Sequence, residues 1–259
     1  MTDRGLDQEG FIRREGSPSR VQPQFAELVA DYVAGCRGSL GDRLDGVYLY
    51  GSIPRGAARV AVSDLDGQVL FTSDPTDDDL LALRDLERRL AAAHPVVAGV
   101  EILAHRHSDL TTPEQRHDGG FHLRVLCTPF WGTDRGAEVP RHRPDIDLAR
   151  GVQGDWRAAL ERFRSRAAES GADARALTRS IGRRLTRMAF TWVMPTWGGW
   201  TSDPAVMAGA VAQVEPGWSR PMAEAVELGW EGRADLASAL RVLDDWGGRL
   251  TEAGEALGA

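Results

Sequence analysis

The chain has 259 residues, 42% of them hydrophobic and 27% charged, with a formal net charge of −7. That length suits one large domain or two small ones with a sizeable core, and no apolar run reaches the roughly 18 residues of a membrane-spanning helix. All 31 basic residues are arginine, which excludes the Walker-A phosphate loop, the protein-kinase ATP lysine and the pyridoxal Schiff base, since each needs a lysine amine.

Phosphates, if bound, must be met by arginine forks, hydroxyls and backbone N–H groups. The acidic balance disfavours a general nucleic-acid binder and suits a cationic small molecule. Cys36 and Cys127 are too few for a disulfide scaffold or zinc ribbon and read as inert. The first residues, Met1-Thr2-Asp3-Arg4-Gly5-Leu6-Asp7, lack an apolar signal core, so the expected location is the cytoplasm.

Residues 1–22 are rich in Arg, Gly, Ser and Pro without periodicity and read as a poorly ordered tail. Phe25, Leu28, Val29, Tyr32 and Val33 recur at helical spacing from Pro23 towards Leu44. Val47–Tyr50 reads as a strand, the stretch from Gly51 to Gly56 as a turn, and Ser63–Phe71 as a second strand. Asp77-Asp78-Asp79 should be the acidic start of a helix over Leu80–Ala93. Val96–Ala104 and Phe121–Cys127 read as further strands, with Arg106–Gly119, next to His105-Arg106-His107, as a solvated loop. From about residue 147 every segment reads helical: 152–169, 173–194, 204–214, 220–229 and 234–257. The expected organisation is a tail over 1–22, a mixed α/β domain over 23–146 and an α-helical bundle over 147–259.

The residues that carry chemistry lie in Tyr50-Gly51-Ser52-Ile53-Pro54-Arg55-Gly56, followed by Ser63-Asp64-Leu65-Asp66. A strand ending in Gly-Ser turns tightly and leaves N–H groups and the Ser52 hydroxyl to meet an anion. Asp64 and Asp66, two apart on a strand, should share a face. Such a pair repels itself unless a divalent cation intervenes, and oxygen ligation of this kind suits Mg²⁺. Glu101, alone within Val97–Leu103, should have a partner or a task, as a third metal ligand or as a base.

This order, Gly-Ser-x-x-Arg-Gly, then Ser-Asp-x-Asp, then a later strand carboxylate, resembles the polymerase-β-like nucleotidyltransferase superfamily. Within it the pattern is most similar to the aminoglycoside (streptomycin/spectinomycin) adenylyltransferases. Trp131-Gly132-Thr133-Asp134, Pro144-Asp145 and Asp147-Leu148 look like that group's domain junction. Arg187 followed by Gly198-Gly199-Trp200-Thr201-Ser202-Asp203 and Pro216 looks like its helical-domain signature. Coverage is roughly residues 45–220, with Asp203 standing where that family often carries a lysine.

The resemblance implies a nucleotidyltransferase fold followed by a helical substrate-binding domain. It also implies Asp64, Asp66 and Glu101 as catalytic and Mg²⁺-binding residues, with Glu101 as base. Gly51, Ser52, Arg55 and Arg187 would contact the nucleotide. The implied reaction is attack of a small molecule's hydroxyl on the α-phosphate of ATP, releasing pyrophosphate, with an aminoglycoside as acceptor. Alternatives are a toxin-like nucleotidyltransferase acting on tRNA or a protein hydroxyl, and a catalytically silent nucleotide-binding module.

Arg175, Arg179, Arg183 and Arg187 recur every four residues and form either a phosphate clamp or a solvated helix face. Asp134, Glu138, Asp145 and Asp147 are candidates to meet substrate ammonium groups. Trp192, Trp197 and Trp200 read as core first and as a stacking surface second.

Overall fold

A four-stranded sheet organises residues 12–142 of the computed structural model, which describes residues 3–154, 156–169, 171, 173–230 and 235–256. The strands are β1 (Leu44–Tyr50), β2 (Leu65–Phe71), β3 (Val100–Arg106) and β4 (Thr128–Gly132), in the spatial order β3-β2-β1-β4. β1 pairs antiparallel with both β2 and β4, whereas β2 and β3 are parallel. The parallel pair needs a crossover, which the helix α3 (Asp77–Ala93) supplies, and helix α1 (Ala26–Leu40) precedes β1.

Strand alternation sends Val47, Leu49, Leu65, Val69, Phe71 and Ile102 to one face, where they form a core with Leu28, Tyr32, Leu83, Leu86 and Leu90 of α1 and α3. The Tyr32 hydroxyl, fully buried, donates to the Tyr48 carbonyl at 3.0 Å and so ties α1 to the sheet. The acidic triplet does start α3. Thr76 and Asp79 form a reciprocal capping box, and Arg43 grips both Asp79 oxygens at 3.0 and 2.9 Å. Burial works against the Asp79 charge, but the Thr76 N–H and Arg43 hold its carboxyl below the ordinary range. At the sheet edge, Glu87 of α3 accepts the Ile102 N–H of β3 at 2.6 Å.

The other face carries Tyr48, Leu70, Leu110, Leu123, Cys127 and Val139, with Tyr50 packed beside them. Its cover is made of short helices rather than the expected fourth strand over Phe121–Cys127. The short helices α4 (His107–Leu110) and α5 (Gly119–Phe121) stand here, the latter widening over His122–Leu126, and the strand comes later, as β4. Phe121, Leu123, Val125 and Cys127 are nonetheless buried at every second position, so their alternation reports burial without strand pairing. The Arg124 guanidinium anchors this cover by donating to the carbonyls of Gly136, Ala137 and Val139 at 3.0, 3.1 and 2.6 Å. His105 and Arg106 also depart from expectation: they complete β3, and Arg106 pairs with Asp74 and Asp109 instead of lying in a loop.

The reading of residues 1–22 as a loose tail fails for the described part. Ile12 is buried and its N–H donates to the His142 carbonyl at 2.8 Å. Residues 3–11 belong with the helical unit, where the Trp200 N–H donates to the Arg4 carbonyl at 2.9 Å and the Arg4 guanidinium lies over Trp197. The polar composition that suggested disorder instead supplies local caps at Asp3, Asp7 and Ser17 and a fork at Arg14 whose partner is remote in sequence.

The helical unit, residues 3–11 and 143 onward, contains α6 (Ile146–Gln153), α7 (Trp156–Ala167), α8 (Ala174–Trp197), α9 (Pro204–Val214), α10 (Ser219–Trp230) and α11 (Leu236–Ala256). The single helix expected over 152–169 is two, broken at Gly154, whose φ is 55°. Asp145 starts α6 by accepting the Leu148 N–H at 2.9 Å. α8 is buried along much of its length and packs against its neighbours on several sides. Trp192, Trp197 and Trp200 are core residues, with Phe190 edge-on to the latter two. No helix among the described residues is long and apolar enough to cross a membrane.

Buried and half-buried histidines link this fold to pH, and His122 is shifted furthest. His122 lies edge-on to Tyr50, with ring centroids 4.8 Å apart, and burial, helped by His105, pushes its pKa from 6.5 down to about 4. Between those values the unfolded chain takes up a proton that the folded chain refuses, so stability is full above about pH 6.5 and falls towards pH 4. The slope contributed is at most about 1.4 kcal/mol per pH unit. Urea unfolding at a series of pH values should show this decline, and His122→Gln should make it shallower, with His105 and His142, also pushed down by burial, supplying the rest.

Candidate active site

The carboxylates are organised by strand register. Asp66 stands opposite Tyr50 of β1 and beside Glu101 of β3. Neighbours in register across a sheet present their side chains to the same face, so Tyr50, Asp66 and Glu101 form one row across three strands. Asp66 shares its face with Gln68 and Leu70, and Leu70 belongs to the cluster beneath the short helices. Asp64 lies one residue before β2 begins, beside Gly99, where an added Cβ would come 3.3 Å from its Oδ1. Glu101 is exposed, so its place in the row has to be argued from register and not from a need to neutralise a buried charge.

The turn after β1 depends on Gly51. Its φ of 76° and ψ of −148° belong to a region essentially reserved for glycine, and a Cβ there would stand 2.2 Å from Asp66 Oδ2. The missing side chain therefore permits both the turn and the approach of the carboxylate. Ser52–Arg55 then form a single helical turn, α2, closed by Gly56 at φ 72°. Arg55 Nε donates to the Gly51 carbonyl at 2.9 Å, so this guanidinium braces the loop. Leu65 and Ala98 anchor the other side through N–H bonds to Gly99 and Ser63 carbonyls, each at 2.9 Å.

The donors present fit a hard cation such as Mg²⁺ only in part. Two carboxylates with phosphate oxygens and water completing the shell is a usual Mg²⁺ arrangement, and Asp64 and Asp66 are carboxylates of the type it takes. A cage of three protein carboxylates does not fit. Among the described residues, no group of three or more His, Cys, Asp or Glu side chains stands close enough to hold an ion. Asp64 sits outside the strand, and Glu101 lies on the edge strand.

Gly51, Ser52, Arg55, Asp64, Asp66 and Glu101 all fall in the sheet unit, while Arg187 is an exposed residue of α8 in the helical unit. The carboxylates suggested for ammonium recognition have internal partners. Arg14 holds Asp134, Arg135 holds Glu138, Asp145 caps α6, and Arg150 stands 3.9 Å from Asp147. The arginine stripe is also interrupted: Arg183 Nε donates to the Gly229 carbonyl at 3.1 Å, and its guanidinium lies over Trp230.

Sequence reasoning missed the polar layer beneath the row. Gln68 is fully buried, accepts from the Cys127 thiol at 3.5 Å and has no hydrogen-bond partner for Nε2. The signal was available, since Gln68 follows Asp66 by two and must share its face. Burial pushes both thiols up, Cys36 to about 12, in keeping with inert cysteines. Two clefts of this unit, of 410 and 290 Å³, share His107 and lie at the opposite end of the strands, near Arg106 and Glu138. Neither is lined by the carboxylate row, in which Tyr50 and Asp66 are half-buried and Glu101 is exposed.

No protein-family model matches the sequence, and no curated protein matches it. Among solved structures, the chain is similar to the spectinomycin adenyltransferase AAD(9) from Enterococcus faecialis, crystallised with ATP and spectinomycin. The match has a TM-score of 0.55 at 16% identity and covers 87% of this chain and 98% of that one. The chain has the nucleotidyltransferase fold followed by a helical domain. At this identity the likeness carries the architecture, and the chemistry is argued from the residues.

Gly51→Ala should cost roughly 1–3 kcal/mol of stability in urea unfolding, because alanine is strained in that backbone region. Gly38→Ala is the control. It lies on the exposed side of α1 with nothing within 4 Å of the new methyl, and should stabilise by about 0.5–1 kcal/mol.

Proposed function

We propose that this chain is a nucleotidyltransferase of the cytoplasm that moves AMP from ATP to a hydroxyl of a small cationic molecule of the aminoglycoside class. The observation that carries the reading is the register that sets Asp66 beside Glu101 and against the Gly51 turn, on a fold shared with an adenyltransferase crystallised with ATP and spectinomycin.

In this reading the Gly51-Ser52 turn and the Ser52 hydroxyl receive the triphosphate, and Arg55 keeps the turn in shape. Asp64 and Asp66 would hold Mg²⁺, which when bound neutralises charge on the phosphates. Glu101, exposed at the end of the row, takes the proton of the acceptor hydroxyl as its oxygen bonds to the α-phosphorus. The bond from the α-phosphorus to the bridging oxygen breaks, and pyrophosphate leaves with that electron pair. Arg187 is assigned to the nucleotide by the sequence resemblance alone. Acceptor ammonium groups would be met by carboxylates other than the internally paired Asp134 and Glu138. The interrupted arginine stripe offers no continuous basic track for tRNA.

The test is pyrophosphate release from ATP and Mg²⁺ over an aminoglycoside panel that includes streptomycin and spectinomycin. Release should depend on one class of drug, and Asp66→Asn and Glu101→Gln should each reduce it by about 10²-fold or more. Silence across the panel with ATP binding intact would remove the antibiotic acceptor and direct attention to tRNA or protein hydroxyls. Absence of ATP binding by calorimetry would remove the enzyme reading.

A further inference from the structure

We infer that residues 14–20 form a strap that holds the Gly51–Gly56 loop in its binding shape, an inference that rests on the nucleotide reading of that loop. A helix of four residues such as α2 does not hold itself together, because its nucleation is unfavourable and its terminal carbonyls lack helical partners. Its shape must come from what surrounds it, and on its C-terminal side the surroundings are this segment.

The strap is anchored first. Arg14 makes a two-pronged contact to Asp134, NH1 to Oδ2 at 2.7 Å and NH2 to Oδ1 at 2.8 Å, while its Nε donates to the Arg124 carbonyl at 3.1 Å. The two side chains are only 26% and 31% exposed, and a forked guanidinium–carboxylate pair fixes direction as well as distance. The Glu15 N–H adds a bond to the Val125 carbonyl at 3.0 Å.

The strap then meets the loop. The Ser17 N–H donates to the Pro54 carbonyl at 2.9 Å, satisfying one of the terminal carbonyls of α2. Gly16 lies so close that a Cβ would stand 2.1 Å from Thr128 Oγ1 and 2.9 Å from Pro54 Cβ. The segment turns through Pro18–Arg20, with the Ser17 side chain accepting the Ser19 N–H. It closes with the Arg20 carbonyl against Gly56, where a Cβ would be 2.9 Å away. Pro54 and Gly56 are thus both fixed from outside the loop. Ordering the turn before ATP arrives removes that cost from binding, which makes Arg14, Gly16 and Ser17 positioning residues.

The experiment uses the full chain with Arg14→Ala, Gly16→Val and Arg14→Lys. The first two should weaken ATP binding, measured by calorimetry with Mg²⁺, by about tenfold. In turnover they should raise KM for ATP and leave kcat within about twofold. Arg14→Lys, which keeps charge but loses the fork, should fall between. Amide hydrogen exchange should quicken over 52–57 in both variants, with the β1 and β2 amides unchanged. Unchanged exchange at 52–57, or faster exchange spread equally over β1 and β2, would overturn the strap. Failure of the unaltered chain to bind ATP would count against the nucleotide reading, and the exchange measurement alone would then decide the strap.

Discussion

The pairing of Asp66 with Tyr50 on one side and Glu101 on the other is the constraint from which the site follows. Side chains alternate along a strand, so a one-residue slip of β2 would send Asp66 into the apolar layer under α1 and α3 and bring Leu65 out. The hydrophobic face makes that slip prohibitive, because Leu65, Val69 and Phe71 would all leave the core together. Burial on one face therefore fixes carboxylate placement on the other. The stability of this domain and the geometry of its chemistry share one cause.

The two faces are built differently for that reason. The face under α1 and α3 is dry and filled by long helices. The opposite face changes character along β2, from the Asp66 carboxylate through the buried Gln68 amide to Leu70. Short helical turns cover it and depend on long-range polar ties, such as Arg124 to three carbonyls and the Tyr48 hydroxyl to the Thr133 carbonyl at 2.7 Å.

The fold class and the turn-plus-carboxylate pattern were legible because both are local: Gly51 to Gly56 and Asp64 to Asp66 lie within 16 residues and obey strand alternation. What escaped was set at a distance. The partner of Arg14 is Asp134, 120 residues away, so composition alone read an anchored segment as loose. Phe121–Cys127 alternated as a strand does, but alternation records which side chains are buried and is silent on what the backbone bonds to. Glu101 stood out by residue type alone, yet its exposure and its register with Asp66 needed the third dimension. The carboxylates offered for cationic recognition were conspicuous in sequence because they are charged, and their charge meets arginines at Asp134, Glu138 and Asp147 and a helix N-terminus at Asp145.

β3 ends the sheet, and an edge strand normally offers a row of unmet N–H and C=O groups to any extended chain that passes. Here Glu87 already occupies the outward Ile102 N–H from within the same molecule. A foreign strand would have to expel a carboxylate from a short hydrogen bond and accept its charge at the new junction. The same contact that fastens α3 to the sheet thus also guards the β3 edge against joining with a copy of itself.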